Sequence, residues 1–377
     1  MSNQRKLHIL VMSASWQSAL ACIQSFGRAG HTVSIVPTSV WSPIYSSVFV
    51  KNSFKLAAAT TEEMTVELLK LVRQQGIDLV IPVSDQDAAL VASAKRLVPG
   101  ANAFIISPPE TIALARSRNK TIELGRRLGI GTPKTAFVTH DNAAGAAREL
   151  GYPCFLKLSG SVASNGVFHL ADEEQLAKKL VTIPRQTEMQ LQQRVDSAVF
   201  GVMGFALEGR LLESFAFRKD NLLFKGGTTA YASRIRDERL DAILSTIAKD
   251  LSWTGAIDLD LLQGPDGNFL LMEINPRLSG TSVFPLKLGI DLPMYYVHTL
   301  MSIDAKPHFK QSNPNAERFI SLAEETRYLR AAGEQGWEFS MKYRADGKFV
   351  DNAFWDDWRY SSALFEMVRR WLLQAKA

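Results

Sequence analysis

Residues 257–277 read IDLDLLQGPDGNFLLMEINPR: two runs of alternating residues on either side of the turn Gly264–Gly267. A period of two marks a strand with one buried face, and a Gly/Pro/Asp turn between two such runs predicts a β-hairpin. With a four-residue loop, Asp258 is expected opposite Glu273 and Asp260 opposite Leu271, so that Asp258, Asp260, Glu273 and Asn275 share a face. Leu259, Leu261, Leu270, Met272 and Ile274 fall on the other face. Three carboxylates and an amide on one face repel one another unless a cation sits among them. Mg²⁺ takes oxygen ligands and is commonly held by one or two carboxylates plus substrate phosphates, so this face suits a metal–nucleotide site. The plainer reading is a solvated hairpin with incidental acids.

Around the hairpin, the first hundred residues alternate strand-like runs (LHILVM, HTVSIVP, DLVIPVS, AFIIS) with amphipathic ones, the pattern of a parallel sheet with covering helices. The first strand-to-helix turn, MSASWQSAL, lacks GxGxxG, which argues against a dinucleotide site there. Ser13, Ser15 and Asp85 at strand ends are candidate substrate contacts, with helix capping as the simpler role. Residues 134–190 read as a small α+β lobe, strands dominate up to about 275, and SALFEMVRRWLLQA near the end is an amphipathic helix expected to dock on the core. Trp355, Trp358 and Tyr360 before it are read as ordinary packing residues.

At 377 residues the chain exceeds one ordinary core. Its 46% apolar and 21% charged residues are those of a globular protein rather than a disordered or disulfide-stapled one. The net charge of +5 is scattered without a polybasic run, which points away from nucleic acid and membrane surfaces and toward small anions. Cys22 and Cys154 lie far apart in apolar surroundings and are read as packing residues. The N-terminal stretch lacks a signal-peptide pattern and no run approaches the length of a membrane span, so a cytoplasmic location is expected.

MEINPRLSGT, with Asp260 thirteen residues before Glu273, resembles the ATP-grasp superfamily, in its carboxylate-amine ligase branch that includes carbamoyl-phosphate-synthase-like proteins. SRNKTIELGRRLGIGTPKT resembles the family's first lysine segment, YPCFLKLSGSVASNGVF its second lysine and nucleotide loop, and LQQRV its interlobe hinge. The resemblance implies an α/β and α+β fold: a Rossmann-like domain at 1–107, then a two-lobed ATP-grasp domain, with its N-terminal lobe at 108–190 and its C-terminal lobe at 191–305. A C-terminal extension at 306–377 follows. It implies Asp260, Glu273 and Asn275 as ligands of two Mg²⁺ ions, or of Mn²⁺ in their place, with Asp258 in support. It places Lys120, Lys157 and the loop residues Ser159, Gly160, Ser164 and Gly166 on the ATP phosphates, Gln192, Gln193 and Val195 at the adenine, and Arg277 on the transferred phosphoryl group. Among Arg218, Lys225, Arg234 and Arg236, Arg234 is the first choice for gripping the acyl substrate. The sequence departs from the family's commonest pattern at Gln193, where the hinge acid stands, and at Val199, where the ribose-binding glutamate stands.

The activity implied is ATP-dependent amide formation from a small-molecule carboxylate and an amine through an acyl phosphate, with release of ADP and phosphate. A kinase that stops at phosphoryl transfer, and an inactive nucleotide-binding partner protein, are the alternatives. The resemblance is also compatible with a homodimer.

Overall fold

The structure is a computed structural model and describes residues 5–15, 17–38, 40–158, 166–222 and 229–373. Three sheets account for its strands. The first is parallel, in the order β3 (Val50–Ser53), β2 (Thr32–Ile35), β1 (His8–Val11), β4 (Leu79–Ile81), as the alternation of strand and helix signals requires. Its helices are α1 (Gln17–Arg28), α2 (Thr61–Gln75) and α3 (Asp85–Leu97); Thr60 with Glu63 and Ser84 with Asp87 form capping boxes that fix where α2 and α3 begin. The AFIIS run expected as a further strand is not one. It makes a single backbone bond to β4, from Val80 N–H to the Ala103 carbonyl at 2.9 Å, and then turns away.

Two helices, α4 (Pro109–Arg116) and α5 (Arg118–Arg127), lead to the second sheet. It is antiparallel, in the order β5 (Thr135–Val138), β8 (Met189–Gln193), β6 (Cys154–Leu158), β7 (Val167–Leu170), with α6 (Ala143–Leu150) and α7 (Glu173–Leu180) on its apolar face. Val138, Cys154, Leu156, Leu170, Met189 and Leu191 point to that core, so Thr135, Phe155, Lys157, His169, Gln190 and Gln192 take the opposite face.

The third sheet has seven strands, in the order β13 (Phe269–Asn275), β12 (Gly255–Gln263), β9 (Val199–Leu207), β10 (Arg210–Leu222), β11 (Thr229–Ile235), β14 (Arg318–Ile320), β15 (Phe349–Asp351). Between these lie α8 (Glu238–Asp250), α9 (Val283–Lys287), α10 (Met294–Leu300) and α11 (Leu322–Arg344), which kinks at Gly333; α12 (Trp358–Leu373) follows. The 306–377 segment is thus no mere appendage, since β14 and β15 complete this sheet and Tyr360 and Leu364 of α12 join the large core around α1, α9 and α10. Trp355 and Trp358 are exposed, Trp355 stacking on Phe365. Both cysteines are buried and free.

One face of the seven-stranded sheet, its back, carries Leu259, Leu261, Leu271 and Ile274 and packs against α4 and α8. On the front, register sets Glu273, Asp260, Gly201, Phe217 and Arg234 side by side across five strands. Gly201 is required in that row because a Cβ there would lie 2.3 Å from the Phe217 ring. Among the described residues no helix is long and apolar enough to cross a membrane.

Candidate active site

The hairpin β12–β13 forms, with a register different from the one its turn suggests. Asp258 pairs with Asn275 and Asp260 with Glu273; a bulge after Asp260 then brings Leu261 opposite Leu271, and the connection runs from Gly264 to Asn268. The bulge absorbs the residue that a regular four-residue loop would not, so Leu271 rather than Leu270 and Met272 is the fully buried residue at that point. The four polar residues still share the front face.

Each acid there meets a cation from a different element. Lys219 of β10 reaches past Gly201 and donates to Asp260 Oδ1 at 2.7 Å. Arg118, at the start of α5, stands 3.3 Å from Glu273 Oε1 and donates to the Leu158 carbonyl at 2.9 Å, which ties α5 to the strand that carries Lys157. Arg277, just past β13, lies 3.5 Å from Asp258 Oδ2 and 3.2 Å from Asp85 Oδ1 and donates to Asn275 Oδ1 at 2.9 Å. Asp85, at the first turn of α3, thereby brings the parallel sheet's helix into the site. Ser13 instead donates to Asp87, and Ser15 accepts from Thr38, so these two serines serve the turn itself.

The electrostatics follow from this crowding. Asp258 is 2% exposed, and burial followed by the neighbouring Asp260 pushes its carboxyl well above the usual range, against the pull of Arg277 and Lys219. Its Oδ1 is buried and has no hydrogen-bond partner among the described residues. Burial works against the charge of Lys219, yet Asp260, Asp258 and Glu273 outweigh it and hold the ammonium above its ordinary value. Burial lowers the Lys157 amine to about 8 despite the pull of Glu273, and its Nζ donates to Gln192 Oε1 at 2.6 Å. Gln192 is in turn oriented by a 3.3 Å bond to Thr135.

Asp260, Glu273 and Asn275 are oxygen donors in register on adjacent strands, with the Asp258 oxygen that has no hydrogen-bond partner among the described residues beside them. Among the described residues no three His, Cys, Asp or Glu side chains converge as a preformed metal cage. Mg²⁺ takes one or two carboxylates from protein and the rest from phosphate and water. The donor set therefore fits Mg²⁺.

Of the other residues named from sequence, Lys120 is exposed; its backbone N–H meets Ser117 Oγ at 3.4 Å, and its side chain makes no ion pair among the described residues. Gln193 is exposed at the end of β8 and Val195 half-buried beyond it. Ser159, Gly160, Ser164 and Lys225 lie outside the described residues, and Gly166 is buried just before β7. Arg234 shares the front face but stands three strands from Asp260, its guanidinium 5.7 Å from the Phe215 ring centre. Arg218 points to the back, where it pairs with Asp220 at 2.6 Å, and Arg236 pairs with Glu317 at 2.8 Å. Lys219 and Arg118 were missed. The alternation Phe215, Phe217, Lys219 would have placed Lys219 on the inner face; Arg118 has no such signal.

No family model matches the chain. A probable alpha-L-glutamate ligase of Vibrio vulnificus is 29% identical over 193 residues, covering 47% of this chain and 61% of that protein, so the chain spans about three fifths of the length of this relative. In fold, the chain is similar to the biotin carboxylase domain of Hydrogenobacter thermophilus 2-oxoglutarate carboxylase, solved with MgADP, ADP and bicarbonate. The TM-score is 0.65 at 12% identity, over 82% of this chain and 72% of that one. The L-amino acid ligase from Bacillus licheniformis gives a TM-score of 0.61 at 16% identity, over 79% and 75%.

Proposed function

We propose that this chain is a member of the ATP-grasp superfamily and an ATP-dependent carboxylate-amine ligase, a reading supported by its similarity to a probable alpha-L-glutamate ligase and by its fold. A substrate carboxylate oxygen attacks the γ-phosphorus of ATP, the bond to the β-phosphate oxygen breaks, and ADP leaves. An amine then adds to the acyl carbon of the resulting acyl phosphate, loses a proton and expels phosphate, leaving an amide. The observation that carries this reading is the front-face row of Asp258, Asp260, Glu273 and Asn275, each acid balanced by a cation from a separate element. In this reading the parallel sheet is a Rossmann-like domain, and the nucleotide lies between the second and third sheets.

Asp260, Glu273 and Asn275 would hold the Mg²⁺ ions, whose charge when bound offsets that of the phosphates. Lys157, with Arg118 beside it, receives the phosphate oxygens, while Phe155 and His169, packed edge to face at 5.5 Å on the same side of their sheet, offer a wall to the base. Lys219 and Arg277 flank the acids at the end where the phosphoryl group moves, and Arg234, farther along the front face, is placed for the acid substrate. The chain needs no nucleophile of its own, since positioning and charge neutralisation do the catalysis. Titrating Mg²⁺ with the β,γ-imido analogue of ATP into wild type and Glu273→Gln by calorimetry tests this. Binding that requires Mg²⁺ and weakens in the variant supports the reading; no binding to the wild type overturns it.

A further inference from the structure

Just beyond Lys219 the pairing of β10 with β11 slips. Lys219 faces Ala232 and Asn221 faces Tyr231, which leaves Asp220 as the extra residue of a β-bulge. Bulges bend a strand and re-aim the side chains next to them. Here the bulged residue is gripped from behind. The Asp220 carboxylate is 7% exposed on the back of the sheet; Arg218 donates to its Oδ1 at 2.6 Å, and the Ser233 hydroxyl donates to its Oδ2. The Tyr343 hydroxyl lies 2.7 Å from the same Oδ2 and 2.7 Å from the carbonyl oxygen of Ala232, the partner of Lys219 across the ladder.

Tyr343 comes from the last turn of α11, more than a hundred residues along the chain, and its ring is fixed. Tyr231 packs on it edge to face at 4.9 Å, Phe339 stacks at 5.5 Å, and the Arg318 guanidinium covers it at 5.0 Å. Neighbouring residues in a strand point to opposite faces. A clamp on Asp220 behind the sheet is therefore a clamp on the backbone that carries Lys219 in front, and the hydroxyl, with one proton to give, lies within hydrogen-bond distance of both strands at that rung.

We propose that Tyr343 is a positioning residue: through the Asp220 bulge and the Ala232 carbonyl it sets where the Lys219 ammonium stands before Asp260, so that the C-terminal segment governs the grip on the terminal phosphoryl group of the nucleotide. This rests on the nucleotide reading of the site given above. It requires a selective effect, because only a nucleotide with a γ-phosphoryl group reaches Lys219, whereas a purely structural tyrosine would alter stability and treat both nucleotides alike.

The test is calorimetric titration, in excess Mg²⁺, of ADP and of the β,γ-imido analogue of ATP into wild type, Tyr343→Phe, Lys219→Met, the double variant, and Leu364→Ala. Tyr343→Phe should weaken the analogue about tenfold and leave ADP within about twofold, the scale of one hydrogen bond to a charged group. In the Lys219→Met background the same change should add nothing, since the tyrosine acts through the lysine. Leu364→Ala, which loosens the docking of the C-terminal segment on the core around α1 without touching Tyr343 or Asp220, should lower Tm and leave the ratio of the two affinities alone. An unchanged ratio in Tyr343→Phe, or the same shift in Leu364→Ala, overturns the proposal. A wild type that binds neither nucleotide overturns the reading of the site, and this proposal with it, and shows itself before any variant is compared.

Discussion

Asp258 in the hairpin and Asp357 at the start of α12 are both buried aspartates, 2% and 0% exposed, and they differ in what surrounds their oxygens. Asp357 is satisfied on both sides: Gln24 Nε2 at 2.6 Å and the Ser47 hydroxyl on Oδ2, the amides of Val48 at 2.9 Å and Tyr360 at 3.4 Å on Oδ1. Asp258 has Asn275 at 3.3 Å and Arg277 at 3.5 Å on one oxygen and, among the described residues, nothing on the other. A buried carboxylate with a full set of donors joins parts of a fold, here the tail to α1 and the 47–48 turn. One left short of donors, among other acids, fits the proposed site, where a ligand would complete it.

That contrast can be broken most directly at the hairpin. Glu273→Gln should cut ADP release with a competent acid and amine by about a thousandfold, the scale on which preorganised charge acts in a transition state. Its melting temperature should stay close to wild type, because the side chain is 36% exposed and, among the described residues, bound by a single ion pair. At the junction the pattern reverses. Asp357→Asn sets an amide against four donors and should cost about 3 kcal/mol in urea denaturation, while nucleotide affinity of the folded protein is unchanged.

Two smaller effects sharpen the comparison through pH. Lys157, lowered to about 8 chiefly by burial, faces Arg118, Glu273 and Asp260. Its cation is present below that value and lost above it, so affinity for the ATP analogue should fall about tenfold from pH 8 to 9. Lys157→Arg should abolish that dependence. Asp258, raised by burial and Asp260, keeps its proton in the folded chain at pH values where the unfolded chain has released it. The stability this gives is full in acid and lost as pH rises from the ordinary carboxylate range. Metal-free Asp258→Asn should therefore gain on wild type with rising pH, by about 1–2 kcal/mol at neutrality. The same chemical change thus stabilises at 258 and destabilises at 357; equal signs at the two positions would end the distinction.

Much of the site was legible because its logic is local. Alternation put the four polar hairpin residues on one face, and a one-residue bulge could alter their pairing without altering that face. Lys219 was legible in the same way and was passed over for Arg218, which alternation sends to the back. What could not be read depends on distance along the chain. Arg118 meets Glu273, and Gln24 meets Asp357, only after sheets and helices far apart in sequence have packed. The strands RFI and FVD are three residues each, too short for a periodicity to show, and their neighbours are chosen by the rest of the sheet.

Those two short strands also bear on how the protein is made. On the ribosome β11 emerges some eighty residues before β14, its partner in the finished sheet. Throughout that interval the nascent chain, with its acidic hairpin already synthesised, presents an open strand edge to the cell, the kind of edge that invites pairing with other chains. Holding the chain until residues 318–351 arrive is thus a natural task for a chaperone, and a shortened gene product would be exposed at that edge for good.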